Sequence, residues 1–119
     1  MFQEVLRDMV ERTDGAIASL LMGFDGIPVD SYNTAIDSLN VESVGSEYGA
    51  LLGQIKQAAD MLELGSAQEV SVQAANMTTV IRLLNDEYFV AIALRPAGNV
   101  GKARYLMRVR ASDLIEGLS

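Results

Sequence analysis

Carboxylates dominate the residues of this chain that have catalytic or ligand-binding chemistry, because the chain contains no histidine and no cysteine. The usual imidazole base and thiol nucleophile are therefore missing, and zinc sites built from Cys and His are excluded. Asp25, Asp30 and Asp37 lack the alternating acidic run closed by a glutamate that a calcium loop requires. The segment Gly98–Gly101 lacks the lysine and serine of a phosphate-binding loop. We therefore expect a protein that is not an enzyme and holds no cofactor or metal.

Acidic residues outnumber basic ones, and the imbalance lies in the first half of the chain. Residues 1–60 hold ten of the 16 Asp and Glu but three of the nine Lys and Arg, and the net charge is −7. Such a surface is poorly suited to a phosphate backbone or an anionic membrane, so we expect neither nucleic acid nor membrane as a partner. Lys102, Arg104, Arg108 and Arg110 favour an acidic or phosphate-bearing partner, or else a solvated helix face, which is the commoner outcome.

Three glycines at intervals of four residues, Gly45, Gly49 and Gly53, lie within a long predicted helix. Each costs about 1 kcal/mol relative to alanine, and the spacing places all three along one side of the helix. One interpretation is a contact groove for a second copy of the chain or for another protein. The other is tight packing of the helix on its own sheet. The neighbouring apolar residues are predicted to face the core: Val44, Tyr48, Leu51, Leu52, Ile55, Ala59 and Leu62.

Three helices and five strands are predicted to position these residues. The helices are Phe2–Thr13, Val41–Leu64 and Val100–Leu118, and the strands are Ala16–Phe24, Ile27–Tyr32, Gln68–Ala75, Met77–Leu84 and Tyr88–Leu94. The links between strands are short, which indicates an antiparallel sheet. Asp25 and Gly26 predict a two-residue type I′ turn, and Pro28 places the strand after it at a sheet edge because proline cannot donate a ladder hydrogen bond.

The distribution of apolar residues predicts the order of the strands. The first and fifth strands are apolar on both faces and should be central, whereas the alternating third strand should form the second edge. The sheet order 2-1-5-4-3 satisfies these constraints. We therefore predict one domain over residues 1–119, an α/β (α+β) protein with a three-layer α/β/α sandwich and the element order α-β-β-α-β-β-β-α.

An exposed third strand is a template for pairing with another chain. A two-fold dimer would join two such edges into one continuous sheet. The predicted interface contains Val70, Val72 and Gln73 of this strand. From the long helix it contains Lys56 and the three glycines.

Two segments resemble the roadblock/dynein light chain family. The run FDGIPV at residues 24–29 resembles the first hairpin of that family, and NVGKARYLMR at 99–108 resembles the start of its closing helix. The element order matches along essentially the whole chain. The resemblance implies an α/β/α sandwich that forms homodimers or heterodimers, and it favours a prokaryotic member.

The family role that the resemblance implies is binding of small Ras-like GTPases, as a scaffold, exchange-factor subunit or GTPase-activating protein. The family supplies no fixed catalytic residue to transfer to this chain. Arg95, beside Pro96 on a loop, is a conceivable arginine finger, but only exposure would favour it. We expect a cytoplasmic homodimeric adaptor that binds a small Ras-like GTPase. The alternative is a ligand-sensing or purely structural dimerisation module of similar build.

Overall fold

The computed structural model describes residues 2–34 and 39–119. Its helices are α1 (Phe2–Glu11), α2 (Val41–Met61) and α3 (Val100–Leu118), and its strands are β1 (Ala16–Gly23), β2 (Pro28–Asn33), β3 (Glu69–Gln73), β4 (Thr78–Leu83) and β5 (Tyr88–Leu94). The predicted element order α-β-β-α-β-β-β-α is confirmed. Asp37, one of the three carboxylates considered for a metal, lies outside the described residues.

The strands form one sheet in the order β2-β1-β5-β4-β3, as predicted, and every neighbouring pair is antiparallel. β1 and β5 lie at the centre and are buried along almost their whole length. β2, which begins at Pro28, forms one edge, and β3 forms the other. The apolar pattern of the strands therefore predicted which of them are covered on both faces.

Helices cover both faces of the sheet and divide the core into two clusters. On one face α1 and α3 pack on the strands, and Leu6, Met9 and Met107 meet Leu21 and Val90. On the other face α2 packs alone, and its cluster includes Leu20, Met22, Leu52, Ile81 and Phe89. The three-layer α/β/α arrangement is thus confirmed, with two helices on one side and one on the other.

The hairpin between β1 and β2 differs from the predicted two-residue type I′ turn. That turn needs positive φ at both central residues, whereas only Gly26 has a positive φ, of 87°. The N–H of Gly26 donates to the carbonyl of Gly23 at 3.0 Å, and the register shifts between Leu21 and Met22. The chain therefore closes the hairpin with a longer turn and a bulge, in which Gly26 takes the left-handed conformation that glycine tolerates.

Helix α2 lies close to the sheet because its inner side carries glycines. Val41, Gly45, Gly49 and Leu52 are the buried residues of α2. A Cβ atom at Gly45 would collide with the Leu20 side chain in the core. At Gly49 a Cβ would lie 3.1 Å from the Phe89 ring. The absence of side chains at these two positions is thus what allows the helix backbone to approach the strands.

The predicted core stripe of α2 was wrong for three of its seven residues, whereas Leu52 is buried and Tyr48 packs against the same core cluster. Leu51, Ile55 and Leu62 are 52%, 37% and 66% exposed, and Leu52 is the member that is fully buried. The true buried side is displaced around the helix by about 70°, so that Leu52 belongs to both the predicted and the observed side. Apolar periodicity did not identify it because glycine has no side chain to contribute to the pattern.

We predict that Gly45→Val destabilises the fold by roughly 1–3 kcal/mol, because the added methyl groups overpack the core beside Leu20. The measurement is the denaturant midpoint followed by circular dichroism. The matched control is Gly101→Val in the first turn of α3, where a Cβ meets only the Asn99 side chain at 3.6 Å. Equal midpoints for the two variants would show that the close approach of α2 carries no energetic weight.

Candidate functional site

Large apolar side chains are exposed on α2 and in the segment that leads to β3. Besides Leu51, Ile55 and Leu62, the structure exposes Met61 and Leu64, by 83% and 74%. Their spacing places Leu51, Ile55 and Leu62 along one line of the helix, about 120° round from the buried Gly45 and Gly49. Contiguous exposed apolar residues of this kind usually mark an interaction surface.

The strand that follows α2 is an open edge. β3 pairs with β4 on one side only. Val70 and Val72 are half-buried, and Val70 packs against the core cluster beneath α2. Because alternate residues of a strand share a face, both valines lie on the α2 side of the sheet. We call Leu51, Ile55, Leu62, Val70 and Val72 together the α2–β3 surface.

The three glycines of α2 do not share one environment. Gly45 and Gly49 are buried against strands of their own chain, so the structure gives these two an intrachain packing role. Gly53 is exposed, and a Cβ there would have open space within 4 Å. The two interpretations of the glycine line therefore apply to different positions, with tight packing at the first two and an accessible backbone at the third.

Lys56 lies against the tips of two hairpins. Its ammonium donates to the backbone carbonyl of Asp86 at 3.3 Å and stands 4.2 Å from the centroid of the Phe24 ring. Phe24 in turn packs on Phe89, with ring centroids 5.4 Å apart. The lysine thus ties the middle of α2 to the turns after β1 and β4 by a cation–π contact and a hydrogen bond.

A cleft of about 350 Å³ opens beside this lysine, between α2, the segment before β3 and the turn after β4. Lys56 and Arg82 line it together with Asp60 and Asp86. Both charge signs line the cleft, so it offers no single-sign field for an anion or a cation. Within residues 2–34 and 39–119, no group of three potential metal-ligating side chains occurs.

Asp25 and Asp30, two of the carboxylates considered for a metal, have local structural roles. Asp25 accepts the backbone N–H of Ile27 at 3.0 Å and stabilises the hairpin turn. Asp30 accepts the amide of Gln3 at 2.6 Å, which joins α1 to β2. Across the described part of the chain, none of the helices combines the length and apolarity of a membrane span.

Gln73 is exposed at the end of β3, whereas Glu69 at its start is held in place. The Glu69 carboxylate pairs with Arg104 of α3 at 2.6 Å. The predicted interface thus separates into an open part, which contains Gly53, Val70, Val72 and Gln73, and an intrachain part, which contains Gly45, Gly49 and Lys56.

Sequence reasoning missed Leu51, Ile55 and Leu62 as surface residues. The sequence feature that could have identified them is that α2 carries more apolar residues than one buried stripe requires.

Solved structures with the same fold include one with substantial sequence identity. The structure of MglC from Myxococcus xanthus is 40% identical, covers 94% of each chain and has a TM-score of 0.67. The Roadblock/LC7 domain from Streptomyces avermitilis is 13% identical over 97% of this chain and 95% of its own, with a TM-score of 0.84. Myxococcus xanthus MglB is 11% identical over 98% and 96%, with a TM-score of 0.81. No protein-family model and no curated protein matches the chain.

We predict that Lys56→Met destabilises the protein by about 0.5–1 kcal/mol, because it keeps the aliphatic stem and removes the cation over Phe24. Thermal unfolding followed by circular dichroism should show the midpoint lowered by a few degrees. Lys56→Arg keeps a cation that stacks on an aromatic ring and should retain most of the stability. An unchanged midpoint in Lys56→Met would contradict the tethering role.

Proposed function

The chain belongs to the Roadblock/LC7 family, and from this premise we propose that it is a cytoplasmic homodimeric adaptor that binds a small Ras-like GTPase. The observation that carries the proposal is the exposed α2–β3 surface. It combines an apolar helix line with an unpaired strand edge on the same face of one sheet. Each half of the proposal, the dimer and the GTPase, has its own support and its own test.

Unequal cover of the two faces supports the homodimer. α1 and α3 together cover one face, whereas α2 alone packs on the other and lies mainly over β1 and β2. The α2 side of β3 is therefore only partly covered, since Val70 packs at the border of the α2 cluster and Val72 is half-buried. A two-fold axis beside β3 would place two β3 edges together and bring the partner's α2 over the same face.

Burial of the apolar helix line would stabilise such a dimer. Leu51 and Ile55 project from the side of α2 away from its buried glycines, where a second helix would remove them from water. Burying apolar area contributes about 25 cal/mol per Å². Gly53 lies two residues from each of them and faces a different side of the helix, so it is not part of this apolar line. Gly45 and Gly49 would contribute indirectly, because they fix the rotation of α2 that turns Leu51 and Ile55 outward.

The GTPase half of the proposal rests on the role that the family resemblance implies. Regulation would work by scaffolding or by ordering the switch segments of the GTPase, a mode that needs no catalytic residue from this chain. Arg95 stands exposed on the loop after β5, where its backbone N–H donates to the carbonyl of Gly15 at 2.8 Å. We assign it no role in catalysis.

We predict that the double change Leu51→Arg and Ile55→Arg converts the dimer to a monomer, because it places two cations in an apolar contact. The dimer dissociation constant should rise at least about tenfold, which corresponds to about 1.4 kcal/mol. Analytical ultracentrifugation over a concentration series measures it. The fold should survive because both side chains are already exposed.

The control for this change is Ile27→Arg, which alters a 64% exposed apolar residue beside the opposite sheet edge. It should leave the dissociation constant unchanged. A wild-type protein that sediments as a monomer at every concentration would overturn the homodimer. Equal weakening by the control would overturn the assignment of the interface to α2.

We predict that calorimetry detects binding of a Ras-like GTPase from the same organism, with affinities that differ between its GDP state and its GTP-analogue state. A regulator that reads the switch segments must discriminate between the two states. Absence of binding in either state, with every Ras-like GTPase of that organism, would overturn this half of the proposal. A dimer that persists in that case would leave a structural dimerisation module as the function.

A further inference from the structure

The outer side of α3 presents an aromatic residue between two cations. Tyr105 is 47% exposed, and Val109, one turn further along, is 45% exposed. The Lys102 ammonium lies 5.9 Å from the centroid of the Tyr105 ring, and the Arg108 guanidinium lies 6.0 Å from it. Spacings of three and four residues place these side chains on one side of the helix. We call these four residues the α3 patch.

The cations of the α3 patch differ from the other two basic residues of the helix. Arg104 pairs with Glu69 of β3 at 2.6 Å, and Arg110 pairs with Asp8 of α1 at 2.6 Å. By contrast, among residues 2–34 and 39–119 neither Lys102 nor Arg108 forms an ion pair. Two positive charges therefore remain uncompensated beside one aromatic ring, on a protein whose net charge is −7.

The α3 patch is separate from the α2–β3 surface. α3 packs in the cluster formed with α1 on one face of the sheet, and α2 packs on the other face. A dimer built through α2 and β3 would leave the outer side of α3 accessible. A partner of the α3 patch would therefore bind in addition to the partners proposed for the α2–β3 surface.

We propose that the α3 patch docks an acidic segment of a partner protein that carries one aromatic or large apolar residue. The charge complementarity is local, since two unpaired cations attract carboxylates where the rest of the protein repels them. Tyrosine and arginine are the residue types that contribute most to protein interfaces. Tyr105 and Val109 would receive the apolar residue while Lys102 and Arg108 receive the carboxylates. The backbone of a nucleic acid suits the site poorly, because two cations are too few to contact a series of successive phosphates.

The test measures fluorescence anisotropy of the full-length protein with a short fluorescein-labelled peptide in which Asp and Glu alternate around a single Phe. We expect this peptide to bind at least about tenfold more tightly than its Asn and Gln counterpart. The double change Lys102→Gln and Arg108→Gln should weaken binding about tenfold. Tyr105→Ala should also weaken it, and added salt should weaken the wild type more than the double variant.

The matched control is the double change Arg7→Gln and Arg12→Gln on α1, which removes the same net charge from residues paired within their own helix. It should leave the affinity within about twofold of wild type. The variant Leu51→Arg with Ile55→Arg should also bind the peptide, which separates this site from the dimer and the GTPase.

Three outcomes would overturn the proposal. The first is no measurable binding, or equal binding of the acidic and neutral peptides. The second is an equal loss of affinity in the α1 control, which would indicate a general charge effect. The third is a labelled single-stranded oligonucleotide that displaces the acidic peptide from the wild type but does not bind the Lys102 and Arg108 double variant.

Discussion

Helix α2 approaches the sheet through Gly45 and Gly49, and the surface of the molecule depends on that close approach. Each glycine faces a large core side chain, Leu20 in one case and Phe89 in the other, so an added Cβ would require the core side chain or the helix to shift. Each also costs about 1 kcal/mol in helix propensity, which close packing offsets. Because glycines occupy the side of α2 that faces the sheet, several of its larger apolar residues lie on an exposed side of the helix. An intrachain packing constraint thus leaves large apolar side chains exposed on the outside of the helix.

The same constraint explains why the two faces of the sheet are unequal. On the α1 and α3 face, ordinary large side chains such as Leu6, Met9 and Met107 fill the layer, and two helices share the strands. On the α2 face a single helix lies closest to β1 and β2, so the far edge of the sheet, where Val72 is half-buried, is covered less completely than the centre. In the proposed dimer, a second copy would bury apolar area that the single protomer leaves exposed, as it does in many obligate dimers.

Most of the fold could be predicted from the sequence because central strands and edge strands differ in their pattern of apolar residues. Alternation in β3, continuous apolarity in β1 and β5, and Pro28 in β2 determined the sheet order. The rotation of α2 and the form of the hairpin turn were not predictable in this way. Both depend on glycines, whose contribution is backbone proximity at Gly45 and left-handed φ at Gly26. The edge of the candidate site was therefore visible in the sequence, whereas its exposed helix line was not.

Ion pairing explains why α3 supports a different kind of contact from α2. Arg104 and Arg110 are used within the chain, because they join α3 to β3 and α1 through Glu69 and Asp8. Their pairing fixes the helix and leaves its outer cations as the ones available to other molecules. An apolar helix line favours a partner that excludes water over a wide area, whereas a tyrosine beside unpaired cations favours a smaller, charged partner. Because α2 and α3 pack on opposite faces of the sheet, the partners proposed for the two surfaces would contact opposite sides of one protomer.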